Sequence, residues 1–440
     1  MLLGTQRVNE RNHLEIGGCD AVELAAEFGT PLYVVDEALI RQNCLAYKQA
    51  FQREYGDSAV AYAGKAFIVR AVCALMAKLD MWLDVASAGE LYTALKGNFP
   101  PQRMLFHGNY KTQQELQMAV DHGVGYVVVD SFVELDQLSA TAQAAGRVQP
   151  ILIRCNPGVD PHTHRLISTG KEDSKFGFNI KDGSAMAAVK RALELPGVDL
   201  QGIHCHIGSQ LLDLTPYTEA APVMTSFLKQ IRDETGVELP VLDMGGGLGI
   251  RYLEEHHPPT IDELAKSLSA ALLDGIAKAG LTKPRLFVEP GRSIVGEAGT
   301  TLYTVGPVKE VSIPEPPGKR VYVSVDGGLS DNPRPALYDA LYSALVANKA
   351  GDEPKFDYTV SGRHCETDML IPHIKLPRVE TGDILAVQST GAYNYSMASN
   401  YNRFTRPAVV FVYDGKADLV VRRETLDDLL KCDLLPDRLA

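Results

Sequence analysis

A few short segments of this chain carry residue types whose chemistry goes beyond folding. In AYAGKAF, Lys65 stands among small and apolar residues. Loss of water there lowers an amine's pKa and readies it for Schiff-base chemistry, whereas the plainer reading is a surface lysine whose stem lies along apolar neighbours. In LDMGGGLGI, the glycines Gly245, Gly246 and Gly247 follow a strand-like run, so backbone amides can approach a phosphate with no Cβ in the way. Ile250 stands where the dinucleotide fingerprint needs its third glycine, and no GK[ST] follows, which leaves another kind of phosphate site or a tight turn. VEPGRSIVG puts Glu289 and Arg292 on one short segment, either a carboxylate able to keep a ring nitrogen protonated or an ion pair that ties down a loop. In HCHIGSQ, His204 and His206 lie two apart on a strand and so face one side. Such a pair begins a zinc site or supplies one flat imidazole to an aromatic cofactor. The later histidines, His256, His257, His364 and His373, stand at no strand end of the same kind, so no metal is expected.

Further along, SGRHCETDM offers Cys365 beside Glu366 and Asp368, and GGLSDNPRPALY offers Arg334 and Tyr338. A thiol poised by nearby charge serves as an acid or nucleophile, although a buried inert cysteine is the commoner fate. Two arginines and several acids suit a small zwitterionic substrate. GAYNYSMASNYN, with Tyr393, is a polar and aromatic pocket rim or an ordinary loop.

The elements that must position these residues fall into two kinds. Between residues 60 and 290, eight strand-like runs alternate with stretches of helical period: Val60 to Ala63, Trp82 to Val85, Met104 to Phe106, Tyr126 to Val129, Ile151 to Arg154, Gly202 to His206, Val241 to Met244 and Leu286 to Val288. Eight such units in about 250 residues have the size of a TIM (β/α)8 barrel, whose reactive groups come from the carboxyl ends of the strands. Each run ends in polar residues: Lys65, Asp84 with Ser87, His107 with Asn109, Asp130 with Ser131, Arg154 with Asn156, His206 with Ser209, Asp243, and Glu289 before Arg292. The loops after the last two strands commonly bind phosphate in this fold, and here they hold the triple glycine and EPGR. Beyond residue 296 the runs TLYTVGPV, RVYVSVDGG, FDYTVSG, DILAVQSTGAY, AVVFVYDG and DLVVRRE read as a second, all-β domain. The expected organisation is an amino-terminal segment 1–40 that partly joins the β domain through HLEIGG, a barrel over 41–295 and a β domain over 296–440.

The 440 residues carry 43 Lys and Arg against 55 Asp and Glu, a net charge of −12, so no global basic field exists to hold nucleic acid or an anionic membrane. No apolar run reaches membrane-spanning length, the start MLLGTQRVNERNH turns polar early, and the seven cysteines are scattered without a CxxC pair. A cytoplasmic protein with reduced thiols is expected.

With these residues laid out, the chain resembles the diaminopimelate decarboxylases, of the alanine-racemase-like fold group of pyridoxal-phosphate enzymes. The likeness runs through GTPLYVVDE, YAGKAF, LDVASAGELY, HGNYK, NPG, STGKEDSKFGF, HIGSQ, LDMGGGLGI, EPGRSIV, RPALY, HCET, GAYNYSMASNYN and RRETLDDLL in the family's order. It implies pyridoxal 5'-phosphate as cofactor, meso-diaminopimelate as substrate, L-lysine and carbon dioxide as products, and a head-to-tail homodimer with shared sites. By position, Lys65 resembles the lysine that links covalently to the cofactor, and His206 the imidazole stacked on its ring. Ser209, Gly245 to Gly247 and Tyr393 match phosphate-binding positions, Asp84, Gly291 and Arg292 fall among the cofactor contacts, and Glu289 matches the carboxylate at the pyridine nitrogen. Arg292, Arg334, Tyr338, Glu366 and Tyr393 match residues around the substrate, and Cys365 resembles an acid supplied by the other subunit.

Three departures from the pattern stand out. Phe67 replaces a common Asn, Pro333 stiffens the approach to Arg334, and the acid Asp368 follows Cys365 by three residues where CESGD has one more. Two alternatives remain: a decarboxylase of another amino acid or a carboxylated polyamine, and a non-catalytic cofactor-binding protein. Arg in RPALY favours a substrate that ends in a carboxylate over a diamine, and Cys365, Glu366 and Arg334 together favour catalysis.

Overall fold

The computed structural model describes residues 2–159, 174–315 and 317–439, so residues 168–173 of STGKEDSKFGF lie outside it. All eight strand-like runs form strands: β1 (Ser58–Ala63), β2 (Trp82–Val85), β3 (Met104–Phe106), β4 (Tyr126–Val129), β5 (Gln149–Asn156), β6 (Val198–His204), β7 (Val241–Asp243) and β8 (Arg285–Val288). Runs such as YVVV and ILIRCN are buried almost throughout, as strands covered on both faces must be. Successive strands pair in parallel, and β8 pairs back with β1 through Leu286 opposite Ser58, which closes a TIM-type barrel.

Several helices that follow the strands start at a polar side chain. Ser87 and Ser131, expected at the barrel mouth, instead cap Ala88–Lys96 and Phe132–Ala144 by accepting from the Glu90 and Glu134 amides. Thr112 and Thr260 form reciprocal capping boxes with Glu115 and Glu263. Each cap is worth about 1 kcal/mol and sets the turn at which a strand gives way to its helix. Inside the barrel, the Trp82 ring stacks on Tyr126 at 5.6 Å and meets the edge of Phe287 at 4.9 Å. Ala59, Ala61, Leu105, Val128 and Leu152 fill the space around them, small side chains opposite large ones.

This barrel belongs to a compact unit of residues 41–250 and 256–294, and a second unit comprises 1–40, 251–255 and 295–440. The second unit is mainly β, with short helices at Ala21–Phe28, Arg334–Tyr338 and Leu426–Leu430. Its long strand Gly299–Ile313 pairs with Gly318–Val325, Ile384–Gln388 and Leu32–Asp36, and the last of these also pairs in parallel with Ala408–Tyr413. HLEIGG does form a strand, Leu14–Ile16, but in a separate three-stranded sheet with Arg7–Val8 and Cys19–Asp20. Gly17 and Gly18, with φ of 59° and 83°, turn the chain before it can extend. Leu14 and Ile16 still reach the main core beside Leu32, Leu302 and Val410. The strand that the amino-terminal segment inserts into the large sheet is LYVVD, whose five buried residues suit a position paired on both sides. Strands at Ala344–Val346 and Met369–Leu376 were not expected; the second is interrupted by Pro372 and His373, which blur its period. No described helix is long and apolar enough to cross a membrane.

Phe287 is fully buried against Trp82 and Tyr126. Phe287→Ala should therefore cost about 3–5 kcal/mol in denaturant unfolding, and a loss below about 1 kcal/mol would show that the barrel interior refills without it.

Candidate active site

Closure of the barrel gathers the ends of β3, β6, β7 and β8 around one carboxylate. Glu289 directly follows β8 and is buried. His107, directly after β3, places Nε2 2.7 Å from its Oε1, and His204, the last residue of β6, places Nε2 3.0 Å from its Oε2. Burial alone would raise the Glu289 carboxyl, but the two imidazoles more than offset it and hold the group well below the usual carboxylate range. The imidazoles differ. Burial opposes charge on His107, yet Glu289 and Asp84, the latter 3.9 Å away, outweigh it and raise that ring's pKa. At His204 burial prevails and lowers the ring to about 4, so it donates to Glu289 as a neutral imidazole. Asp243 ends β7 and accepts from the Gly245 amide at 2.8 Å. Burial, and then the charge of Glu289, push its carboxyl well above the usual range, so a neutral acid lies beside an ionised one. Asp84 is likewise raised, by burial first, with Glu289 adding and His107 and Lys65 opposing.

His107, His204 and Glu289 bring ligand atoms within 4.8 Å of one another. The ring nitrogens that face the carboxylate are already hydrogen-bonded to it, so the group is an acid held between two imidazoles. The expected shared direction of His204 and His206 fails because β6 stops at His204. His206 turns to the glycine loop, where its Nδ1 accepts from the Gly246 amide at 3.2 Å. That bond requires an unprotonated Nδ1, and burial together with the nearby Lys65 charge pushes the ring well below its ordinary pKa.

The triple glycine reflects backbone packed on backbone. A Cβ on Gly245 would lie 2.5 Å from the Cys205 carbonyl oxygen, one on Gly246 2.1 Å from that of Glu289, and one on Gly247 2.5 Å from that of Gly208. The loops after β6, β7 and β8 thus interlock, and Arg292 Nη2 donates to Ser209 Oγ at 2.9 Å across two of them. Gly291 does the same for the lysine turn, since its Cβ would meet Ala63 at 2.9 Å. Lys65 sits in the turn Gly64–Ala66 after β1, between buried Ala63, Ala66 and Phe67. The apolar shielding expected of it is absent from the chain itself, because Lys65 is exposed, with Asp84 and Glu90 as charged neighbours.

In the second unit, Arg334 opens the helix Arg334–Tyr338 and is 6% exposed. Its Nη1 donates to the hydroxyls of Tyr252 at 3.0 Å and Tyr342 at 2.7 Å. The rings of Tyr252, Tyr338, Tyr342 and Tyr393 have centroids 5.4, 5.9, 5.9 and 5.6 Å from its guanidinium carbon. Among the described residues no carboxylate forms an ion pair with Arg334, so the cage holds a positive charge suited to an anion. Cys365 and Glu366 lie together on an exposed loop, where the Cys365 amide donates to Asn402 Oδ1 at 3.0 Å and Tyr401 OH donates to Glu366.

In the sequence His107, Asp243 and Arg154 are legible only as polar strand ends, and His204 only as one of a histidine pair open to zinc or to a cofactor ring. Arg154 lies 4.3 Å from the Phe176 ring and 3.8 Å from Asp130. The cage residues Tyr252 and Tyr342 carried no local signal.

A closed barrel with an amine, an ionised carboxylate and a glycine turn at one mouth matches a class of cofactor enzyme. The family model "Pyridoxal-dependent decarboxylase, pyridoxal binding domain" matches residues 37–296. Diaminopimelate decarboxylase of Bacillus subtilis is 48% identical over 434 residues, 98% of each chain. That of Mycobacterium tuberculosis H37Rv is 44% identical over 426 residues, 95% of this chain and 94% of the relative. The crystal structure of the M. jannaschii diaminopimelate decarboxylase in co-complex with L-lysine has a TM-score of 0.92 at 38% identity and covers 100% of both chains. The chain belongs to the diaminopimelate decarboxylase family of pyridoxal-dependent enzymes. Its residues fit the cofactor: a carboxylate held ionised can face a protonated ring nitrogen, His206 is flat and neutral, and the three glycines offer backbone amides without side chains.

Glu90 accepts from the Ala86 amide at 2.7 Å, and burial, followed by Asp84, raises its carboxyl to about 7. The folded state thus holds this proton where the unfolded chain has released it, so the group weakens folding as pH rises through about 4.5 to 7. Glu90→Gln should lose less stability between pH 5 and pH 8 than the parent in denaturant titrations; equal losses would contradict the raised carboxyl.

Proposed function

We propose that this protein decarboxylates meso-2,6-diaminopimelate to L-lysine and carbon dioxide, as a cytoplasmic homodimer whose subunits share their active sites. The observation that carries the substrate is the Arg334 cage. A buried guanidinium with no carboxylate partner among the described residues suits the distal carboxylate of an amino-dicarboxylic acid, and would repel the distal ammonium of ornithine or lysine. The family supports the same choice.

When bound, pyridoxal phosphate supplies a protonated pyridine ring that takes up the electron pair left as carbon dioxide departs. Lys65 would provide the amine that anchors the cofactor. Glu289 keeps the ring nitrogen protonated, and His107 and His204 keep Glu289 ionised for that task. Neutral His206 covers the ring without adding a positive charge that would compete with it. Ser209, the glycine amides and Tyr393 would hold the phosphate, with Arg292 fixed through Ser209, and Asp84 and Gly291 pack against the lysine turn.

Arg334, Tyr338 and Tyr393 hold the far end of the substrate, and Glu366 pairs with its distal ammonium. Contacts of this kind would orient the substrate for loss of its carboxylate. Cys365 then donates its thiol proton to the carbon that lost carbon dioxide and regains one from water. Cys365 and Glu366 are exposed on their own subunit, and an acid acting on a shielded carbon needs a cover; a second copy supplies it.

Lys65→Ala should abolish carbon dioxide release from meso-diaminopimelate. Arg334→Ala should lower kcat/KM by about 10- to 100-fold, the worth of a charged hydrogen-bonding contact, mainly through KM. Mixed Lys65→Ala and Cys365→Ala subunits should recover activity above that of either variant alone. Release of carbon dioxide from ornithine or lysine but not from meso-diaminopimelate would overturn the assignment.

A further inference from the structure

The loop Gly362–Asp368 joins the strands Phe356–Ser361 and Met369–Leu376 and carries Cys365, Glu366 and Thr367 as exposed residues between buried His364 and buried Asp368. At its tip the loop is held by the bonds from the Cys365 amide to Asn402 and from Tyr401 to Glu366, and its base needs an anchor of its own. The Asp368 carboxylate supplies the hold. Its Oδ2 accepts from the His364 amide at 2.9 Å and from His364 Nδ1 at 2.6 Å, and its Oδ1 accepts from the Leu329 amide at 2.7 Å. The Gly362 amide donates to the Asp368 carbonyl at 2.8 Å and closes the loop.

His364 continues the chain of bonds. Its Nε2 accepts from the Ser330 amide at 3.3 Å, which fixes the proton on Nδ1, toward Asp368. Its ring also packs on Tyr401 and Phe404, centroids 6.1 and 4.8 Å away. The surroundings are shaped to this carboxylate: a Cβ on Gly362 would lie 2.0 Å from Asp368 Oδ2, and one on Gly328 2.2 Å from it. Asp368 itself adopts a φ of 41°, a left-handed conformation disfavoured by most side chains.

We propose that Asp368, acting through His364, is a positioning residue for the proton donor Cys365. It pins the hairpin loop to the Gly327–Ser330 turn and fixes the direction in which the thiol projects. This inference rests on the proton-donor role given above to Cys365. The shortened spacing between Cys365 and Asp368 fits it, since a loop with fewer residues transmits the anchor to the thiol with less slack. Asp368→Asn keeps only one acceptor oxygen: with it on His364 the NH2 group faces the Leu329 amide, and in the other orientation the NH2 group faces the His364 amide and ring, so an anchoring contact is lost either way.

The test is a double-mutant cycle on the cofactor-loaded dimer, with kcat and KM measured separately. Cys365→Ala should lower kcat by about 10² to 10⁴, the usual worth of a positioned proton donor. Asp368→Asn should lower kcat by about 10- to 100-fold, as a misplaced group does, and should leave kcat within about twofold in the Cys365→Ala background. A rise in KM through Glu366 should persist in both backgrounds. If Asp368→Asn does not fold, His364→Phe keeps the ring packing and enters the same cycle with the same pattern expected. An equal loss of kcat in both backgrounds, or none in either, would overturn the positioning role while Cys365 stands. Full activity of Cys365→Ala would instead overturn the proton-donor reading, and the inference with it.

Discussion

The architecture of the barrel mouth turns on a buried carboxylate that stays ionised. Taking Glu289 out of water disfavours its charge, and the hydrogen bonds from His107 and His204 reverse that preference. Those bonds exist only because the strands are staggered and closed, so that residues distant in sequence meet at one point. The same closure brings Asp243 close enough that only one of the two acids carries charge. A pyridine nitrogen is a weak base in water, and a fixed anion beside it is what the electron-accepting ring requires. The glycine turn follows from the same crowding: interlocked loops after β6, β7 and β8 leave no room for a Cβ at Gly246.

The barrel was legible because its strands are short, apolar and evenly spaced, and because β/α units obey local rules. All eight runs were strands within a few residues, and the differences lie at ends such as β6, which stops before His206. The polar strand ends were a mixed signal. Ser87 and Ser131 are helix caps, while His107 and Asp243 contribute to the site. A residue's type does not separate these uses; its partner does, and the partners of Glu289 lie 85 and 182 residues away. For the same reason Tyr252 and Tyr342 gave no sign of surrounding Arg334. The insertion of LYVVD into the large sheet was hidden because a buried strand reads alike in either unit.

The second unit solves a different problem. Arg334 is held inside a cage of aromatic rings and hydroxyls, which shields it without neutralising it, so its charge remains for an anion. Cys365 is instead exposed, and the buried Asp368–His364 pair anchors its loop from beneath. The loop is thus rigid at its base and exposed at its tip.

The most direct test of the account is borohydride reduction of the purified, cofactor-loaded protein, followed by peptide mapping and a carbon dioxide assay with meso-diaminopimelate on the unreduced sample. The account predicts a visible absorption band that reduction erases, a cofactor adduct on Lys65, and release of carbon dioxide with formation of L-lysine. A protein that takes up no cofactor, or carries the adduct on another lysine, would contradict it.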